Sequence, residues 1–190
     1  MYLLQTGGAH NLGADPGKDL VHLQGEWAIR FLVITLLISP VRQLTPFRSV
    51  IRVRRMLGLF AFFYASLHLL AYMVFLLGLD FSNIAGDVIK RPYITAGFAG
   101  LLLMLPMAIT STDGMMRRLR GRWQVLHRAV YLVAVLAVVH LVWQARSSYQ
   151  EAAVYGLIIG ALLAYRLAGW IRQRKSREKA IPGESAGKAV

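Results

Sequence analysis

Five long apolar stretches, separated by short polar segments, dominate the pattern of the chain. They cover residues 25–43, 57–79, 93–111, 124–145 and 150–171. A helix needs about 20 mostly apolar residues to cross the hydrocarbon core of a bilayer, which is about 30 Å thick. Only helices and closed barrels satisfy their backbone hydrogen bonds inside lipid. We therefore predict an all-α, polytopic transmembrane helix bundle with five spans.

The polar ends divide the chain into three predicted regions. Residues 1–24 are expected to form an external N-terminal segment, residues 25–172 the transmembrane bundle, and residues 173–190 a basic cytoplasmic tail without fixed structure. Residues 1–4 are too short to span a membrane and lack the charged start of a signal peptide. One hypothesis is that a further helix precedes residue 1, which would give six spans. No internal repeat is apparent.

Excess positive charge is concentrated in alternate connecting segments, whereas the opposite segments are close to charge balance. The chain has 22 Lys and Arg residues against 9 acidic ones, a net charge of +13, in a sequence that is 56% hydrophobic. The arginine clusters at 42–55, 117–122 and 172–179 all fall on one side of a five-span bundle. The positive-inside rule makes that side cytoplasmic and places the N-terminus outside. Membrane topology thus explains the charge, and no nucleic-acid partner is expected.

Metal chemistry in this chain must depend on histidine. The absence of cysteine excludes disulfides, iron–sulfur clusters and thiolate zinc sites. His10 and His22 lie in the external segment, and we treat both as loop residues. His68, His127 and His140 lie within apolar spans, where an ionisable side chain is costly and by default functional. The structural alternative is that these three imidazoles only bond neighbouring helices.

The depths of two histidines agree. His68 lies 13 residues after Arg55 and His140 lies 12 after Arg128, on spans that run in the same direction. At 1.5 Å per residue, both imidazoles are about 18–20 Å beyond a basic anchor. Two histidines at one level on facing helices are the arrangement that holds a haem iron between two axial ligands.

A second level lies nearer the arginine-rich side. His127 is expected there opposite Arg54, which shares a helix face with His68. His127 and His140 are 13 residues apart and would point in different directions on a straight helix, so a second stacked haem requires a bulge or kink. Arginine is a poor iron ligand, and an anchor or haem-propionate partner is the expected role of Arg54.

Other polar groups have simpler interpretations. The four tryptophans lie near span ends, as expected for interfacial anchors. The residues 110–113 and the arginines of 117–122 could bind a flavin phosphate, although solvated topology charge is the simpler explanation.

Several sequence blocks resemble the ferric reductase-like transmembrane family, in the order and topology expected for it. They are residues 12–19 (LGADPGKD), 54–59 (RRMLGL), 63–68 (FYASLH), 91–93 (RPY), 110–112 (TST) and 123–131 (WQVLHRAVY), followed by His140. The resemblance extends over about residues 10–172. It is strongest to bacterial members that serve as the membrane subunit of a methionine sulfoxide reductase system.

The resemblance implies an electron-transfer role in the bacterial inner membrane. Electrons would come from the quinone pool or a cytoplasmic flavin reductase and leave to a periplasmic molybdopterin reductase that repairs oxidised proteins. The implied cofactors are one or two haems b and flavin mononucleotide (FMN). The implied haem ligands match His68, His127 and His140, with Arg54 standing where related oxidases have a fourth histidine.

Two alternatives differ in function. One is an electron-transfer protein of the same family with another acceptor, such as ferric iron or oxygen. The other is a cofactor-free small transporter or assembly factor, which predicts a colourless protein.

Overall fold

Helices make up the regular structure of the chain. The computed structural model describes residues 15–44, 50–145 and 149–179. The helices are α1 (Pro16–Leu44), α2 (Val50–Ala71), α3 (Phe81–Lys90), α4 (Pro92–Ile109), α5 (Asp113–Leu119), α6 (Gly121–His127), α7 (Val130–Gln144) and α8 (Gln150–Lys179). A π-helical turn, Tyr72–Leu76, extends α2. No strand occurs within the described ranges, and the predicted all-α class is confirmed.

Five helical segments are long and apolar enough to cross a membrane. They are Pro16–Val41, Val53–Leu76, Pro92–Ile109, Gly121–Gln144 and Gln150–Ser176. The fourth combines α6 and α7 with the turn between them. Each overlaps most of one predicted stretch, with ends that differ by a few residues, so the prediction of a multi-pass bundle is confirmed.

The first helix begins earlier than the apolar pattern indicates. Asp15 Oδ1 accepts a hydrogen bond from the Lys18 backbone N–H at 3.2 Å, and Pro16 occupies the first helical position. A capping aspartate followed by proline is a strong helix start. The Lys18 ammonium beside Asp15 also lowers the pKa of that carboxyl. Residues 16–24, expected to be an external loop, are therefore the first turns of α1.

The last helix also continues beyond its predicted end. Residues 173–179, expected to belong to an unstructured tail, are helical. The Ser176 hydroxyl donates to the Arg172 carbonyl oxygen at 3.0 Å, and the Arg174 guanidinium lies over the Trp170 ring. The remainder of both terminal regions, 1–14 with His10 and 180–190, lies outside the described residues.

Two helix pairs build the bundle. The most extensive packing joins α1 to α2 and α4 to α7, and α8 lies against α7 and α1. Small buried residues at the centre, Ala61 and Ala134, allow the helices to approach closely. Leu36 of α1 and Ile159 of α8 are the largest side chains with no exposed surface. The pairs thus bring α2, which carries His68, and α7, which carries His140, into one bundle.

The outer surface of the bundle is strongly apolar. Phe63, Phe75 and Leu157 are more than half exposed, and they are examples of many large hydrophobic side chains that point away from the core. Exposed apolar area on this scale is unfavourable in water and is expected where a helix faces lipid tails. The surface therefore agrees with the membrane assignment.

Candidate haem-binding site

His68 and His140 meet between α2 and α7. His68 lies on α2 and His140 on α7, and their ring centroids are 6.1 Å apart. The two ring planes are nearly perpendicular, at 85°. The level inferred from the counts of residues beyond Arg55 and Arg128 is therefore confirmed: the structure brings these imidazoles together.

The spacing of the two rings fits a metal ion between them. A metal–imidazole nitrogen bond is about 2.0–2.1 Å long, and the ring centre lies about 1.1 Å behind the nitrogen, so two imidazoles on opposite sides of one metal have centres about 6.3 Å apart. The observed separation is 6.1 Å. The pair therefore has the spacing of two axial ligands of one iron.

Backbone carbonyls fix the outer nitrogen of each ring. His68 Nδ1 lies 2.8 Å from the carbonyl oxygen of Val21, and His140 Nδ1 lies 2.7 Å from that of Tyr93. A carbonyl oxygen only accepts, so each Nδ1 carries the proton and donates it. Each Nε2 is then left with its lone pair, which is the form that binds a metal.

A glycine faces each histidine ring. A Cβ on Gly97 would lie 2.9 Å from His140 Nδ1 and 3.0 Å from its Cε1. A Cβ on Gly25 would lie 3.1 Å and 3.2 Å from the corresponding atoms of His68. Each ring thus occupies a notch that only glycine leaves open, and the neighbouring helix holds it in place.

The same arrangement occurs twice in the chain. Val21, Gly25 and His68 of the α1–α2 pair correspond to Tyr93, Gly97 and His140 of the α4–α7 pair, with the same offset of 72 residues in all three cases. The side-chain pattern predicts no internal repeat, yet these three contact positions recur once along the chain. The repeat lies in backbone contacts and glycine positions, which a search for similar side-chain patterns misses.

His127 occupies a lower level, nearer the arginine-rich end. It is the last residue of α6, and its ring stacks on Trp123 with centroids 3.9 Å apart. Its Nδ1 lies 3.1 Å from the Trp123 carbonyl oxygen, while its Nε2 is buried without a hydrogen-bond partner. The helix is interrupted at Arg128 and Ala129 before α7 begins. Arg128 and Ala129 keep right-handed helical dihedrals but break the regular helix, which is the kind of irregularity that a second haem level requires.

Arg54 lies on α2 close enough to His127 for their charges to interact, as the sequence predicts. It also interacts with the Tyr131 hydroxyl and with the charge of Arg166 on α8. Arg166 is not among the predicted site residues, since it lies within an apolar stretch of the last span. A lone arginine in such a stretch is itself the signal that could have identified it.

The other polar candidates have structural roles. The loop threonines bond backbone atoms: Thr110 donates to the Pro106 carbonyl at 2.7 Å, and Thr112 caps α5. Asp113 pairs with Arg55, which holds the pKa of that carboxyl below its ordinary value. His22 is exposed on α1. None of these contacts indicates a flavin site.

The tryptophans divide into two kinds. Trp143 and Trp170 are more than half exposed, as expected for interfacial anchors. Trp27 packs against aromatic rings of α1 and α2. Trp123 donates from Nε1 to the Thr110 carbonyl at 3.0 Å and stacks on His127. Trp123 therefore positions the lower histidine as well as lying near a span end.

The two histidines suit an iron whose other ligands come from a cofactor rather than from the protein. Within the described residues, no group of three or more His, Cys, Asp or Glu side chains is placed to hold a metal ion. Two histidines complete the coordination of a haem, in which the macrocycle supplies the remaining ligands. The spacing, the free Nε2 atoms and the glycine notches therefore fit haem.

A sequence model of a known family matches the central part of the chain. The family is described as the ferric reductase like transmembrane component, and the match covers residues 24–138. It includes α2, α4 and most of α7, although His140 lies just beyond it. No solved structure matches the chain.

Individual relatives are similar over most of the chain. A protein of Xanthomonas euvesicatoria is 52% identical over 161 residues, covering 85% of this chain and 74% of the relative. Relatives of Xanthomonas oryzae and Herminiimonas arsenicoxydans are 48% and 43% identical, each covering 92% of this chain and 81% of the relative. All three are named protein-methionine-sulfoxide reductase heme-binding subunit MsrQ.

Proposed function

The chain belongs to the ferric reductase-like transmembrane family, and we propose that it is a membrane b-type cytochrome that passes electrons to a methionine sulfoxide reductase. The observation that carries this proposal is the pair of imidazoles at 6.1 Å, each with its Nδ1 proton donated to a backbone carbonyl. The names of the MsrQ relatives support both the haem and the reductase partner.

In the proposed mechanism, His68 and His140 would hold haem b between α2 and α7. When bound, the haem supplies a reversible one-electron change at its iron. The protein contributes fixed geometry: carbonyls of Val21 and Tyr93 keep the Nδ1 protons in place, so the ligand nitrogens do not need to reorganise. The apolar surroundings exclude water from this level.

We propose a second carrier at the level of His127. Its Nε2 is buried and has no hydrogen-bond partner, which suits a ligand to a second haem b. Arg54 is proposed to face this cofactor as a positive charge, for example towards a propionate, rather than to bind iron. His127 and His140 are 13 residues apart, about 20 Å along a helix. Two carriers would thus divide a crossing of about 30 Å into shorter transfers.

The direction of transfer follows from the charge asymmetry. We propose that the arginine-rich end faces the cytoplasm of a bacterial inner membrane, with the C-terminus on that side. Electrons would enter there from the quinone pool or a cytoplasmic flavin reductase, with FMN as a further carrier. They would leave at the opposite end to MsrP, a periplasmic molybdopterin reductase that repairs oxidised methionines.

The decisive experiment is electron transfer between purified partners. The haem-loaded protein is reduced anaerobically with dithionite, freed of excess reductant, and mixed with MsrP and a methionine sulfoxide peptide. We expect reoxidation of the haem that depends on both MsrP and the peptide. Reoxidation by ferric iron or oxygen alone, with no effect of MsrP and peptide, would favour another acceptor.

A further inference from the structure

Two arginines from different helices converge on one tyrosine near the arginine-rich end. Arg166 of α8 donates from Nη1 to the Tyr131 hydroxyl, and its guanidinium lies over the Tyr131 ring, 4.9 Å from the centroid. Arg54 of α2 interacts with the same hydroxyl and lies within electrostatic range of Arg166. The tyrosine is therefore shared by two positive charges.

A proline helps to fix Arg166 in this position. Pro40 lies inside α1 and has no N–H, so the carbonyl of Leu36, four residues earlier, lacks its helical donor. Arg166 Nη2 donates to that carbonyl at 3.3 Å. Its Nε remains buried without a hydrogen-bond partner. One donor of a held guanidinium is thus unused.

No carboxylate of a described side chain neutralises these two arginines. Ion pairs occupy Lys18, Arg30, Arg55 and Arg91, each with an aspartate or glutamate. Arg54 and Arg166 have no such pair in the described part of the chain. Buried charges in proteins are normally paired, and two like charges at close range inside a membrane bundle repel each other. A haem propionate is proposed above for Arg54, and Arg166, whose Nε is unused, therefore favours a second anion from outside the chain.

A cavity opens beside Arg166. It has a volume of about 470 Å³, within the range of small-molecule sites. Its lining combines positive charge, hydroxyls and aromatic rings: Ser39, Tyr131, Tyr165, Arg166, Trp170 and Arg172. Guanidinium groups recognise phosphate through paired hydrogen bonds, and aromatic rings favour a flat or apolar group beside it.

We propose that this cavity binds a phosphate-bearing ligand, with Arg166 and Arg172 holding the phosphate and Tyr165 and Trp170 contacting the group attached to it. A phosphate monoester carries about 1.5 to 2 negative charges at pH 7, which suits the excess positive charge. The phosphate can belong to an anionic lipid headgroup or to a soluble organic phosphate. The soluble-phosphate case rests on the proposed function where the ligand is the FMN named there, whereas the lipid case is independent of electron transfer.

Binding of a matched pair of probes tests the proposal. Haem-loaded protein is placed in phosphatidylcholine nanodiscs and titrated with FMN and with riboflavin, which has the same ring and no phosphate. Quenching of flavin fluorescence reports binding. We expect FMN to bind saturably and riboflavin at least about tenfold more weakly, because a charge-assisted hydrogen bond contributes about 1.5–3 kcal/mol.

Arginine variants locate the site. Arg166→Gln is expected to weaken FMN about tenfold or more, and the exposed Arg172→Gln to weaken it by a smaller factor of up to about fivefold. Arg30→Gln is the matched control, since its guanidinium already pairs with Glu26 at 2.5 Å. The haem absorption spectrum of each variant checks its fold, and Arg172→Gln carries the test if Arg166→Gln does not fold.

A second experiment, with an anionic lipid in the nanodiscs, identifies the source of the phosphate. If an anionic lipid is the occupant, phosphatidylglycerol in the nanodiscs weakens FMN binding, and native mass spectrometry finds less retained phosphatidylglycerol on Arg166→Gln than on Arg30→Gln. Either source supports the site. Equal binding of FMN and riboflavin, no saturable FMN binding together with no retained phosphatidylglycerol, or equal effects of Arg166→Gln and Arg30→Gln would overturn it.

Discussion

A single methyl group added at Gly97 should disrupt the haem site. A Cβ on this residue lies 2.9 Å from His140 Nδ1, whereas an ordinary contact begins near 3.4 Å. The ring would have to move by about 0.5 Å, and metal–ligand distances tolerate only about 0.2 Å. The movement would also disturb the 2.7 Å hydrogen bond from Nδ1 to the Tyr93 carbonyl.

Graded glycine variants give this prediction its magnitude. Overpacking costs about 1–3 kcal/mol. If this strain is present only when His140 is in the position that binds haem, haem affinity falls by about 5- to 150-fold. Gly25→Ala should have a smaller effect, since its Cβ lies 3.1 Å from the His68 ring. Gly100→Ala on the same helix as Gly97 is the control, with its nearest neighbour, Leu136 Cβ, at 3.8 Å.

Haem content is the assay for this series. The pyridine haemochrome per mole of protein and the absorption spectrum are measured for wild type and the three alanine variants. We expect haem retention to fall in the order Gly100→Ala, Gly25→Ala, Gly97→Ala. Gly100→Ala should be neutral or slightly stabilising, because alanine favours a helix over glycine by up to about 1 kcal/mol. Wild-type haem content and spectrum in Gly97→Ala would refute the reasoning.

Three further predictions follow from other parts of the structure. The ring planes of His68 and His140 are nearly perpendicular, at 85°. The oxidised haem should therefore give a strongly anisotropic low-spin electron paramagnetic resonance spectrum. A rhombic spectrum would indicate parallel planes and contradict this geometry. Arg54→Gln removes a positive charge that stabilises the reduced form, so it should lower the midpoint potential of the carrier at His127. A redox titration that finds the same midpoint potential in the variant and in wild type would contradict this prediction. Because Arg55 lowers the pKa of Asp113, their pair stabilises the fold at neutral pH and is lost as the pH falls below the ordinary value of 3.8. The melting temperature of Asp113→Asn should therefore lie slightly below that of wild type at pH 7, and the difference should shrink as the pH falls below 3.8. A difference that stays constant down to pH 3 and below would contradict this.

The spans and the level of the histidine pair could be predicted because both follow from counting residues: the length of an apolar stretch gives a span, and the number of residues from a basic anchor gives a depth. The rise per residue and the bilayer thickness define a span, and the distance from a basic anchor defines a depth. Counting from Arg55 and Arg128 was therefore enough to place His68 and His140 together. The 13-residue spacing of His127 and His140 indicates that a second haem needs an irregular helix between them, and α6 and α7 are separated at Arg128 and Ala129.

The features that hold the rings could not be predicted in the same way. Nδ1 of each histidine bonds a backbone carbonyl, of Val21 or Tyr93, and any residue type offers such a carbonyl. The notches at Gly25 and Gly97 depend on how closely two helices approach, which composition does not report. The common offset of 72 residues between Gly25 and Gly97 and between His68 and His140 is a signal that a comparison of glycine and histidine positions could have found.

The start of α1 carries a local helix-capping signal, but the polar composition of the residues around it predicts a loop. The Asp15-Pro16 pair is typical of a helix N-terminus, yet the surrounding residues 16–24 are polar and predict a loop. In the structure, the cap extends α1 by these residues, and Val21 thereby reaches the level of His68. The early helix start is thus part of the haem site.

The most direct test of the account is the absorption spectrum of the purified protein with and without its two central histidines. Oxidised and dithionite-reduced spectra, with a pyridine haemochrome count, are recorded for wild type, His68→Ala and His140→Ala after expression with an assured haem supply. We predict a low-spin b-type spectrum in wild type and loss of the central haem in each variant, with a wild-type count near two if His127 holds a second haem. A colourless wild-type protein, or full haem retention in both variants, would contradict the claim that His68 and His140 are the axial pair.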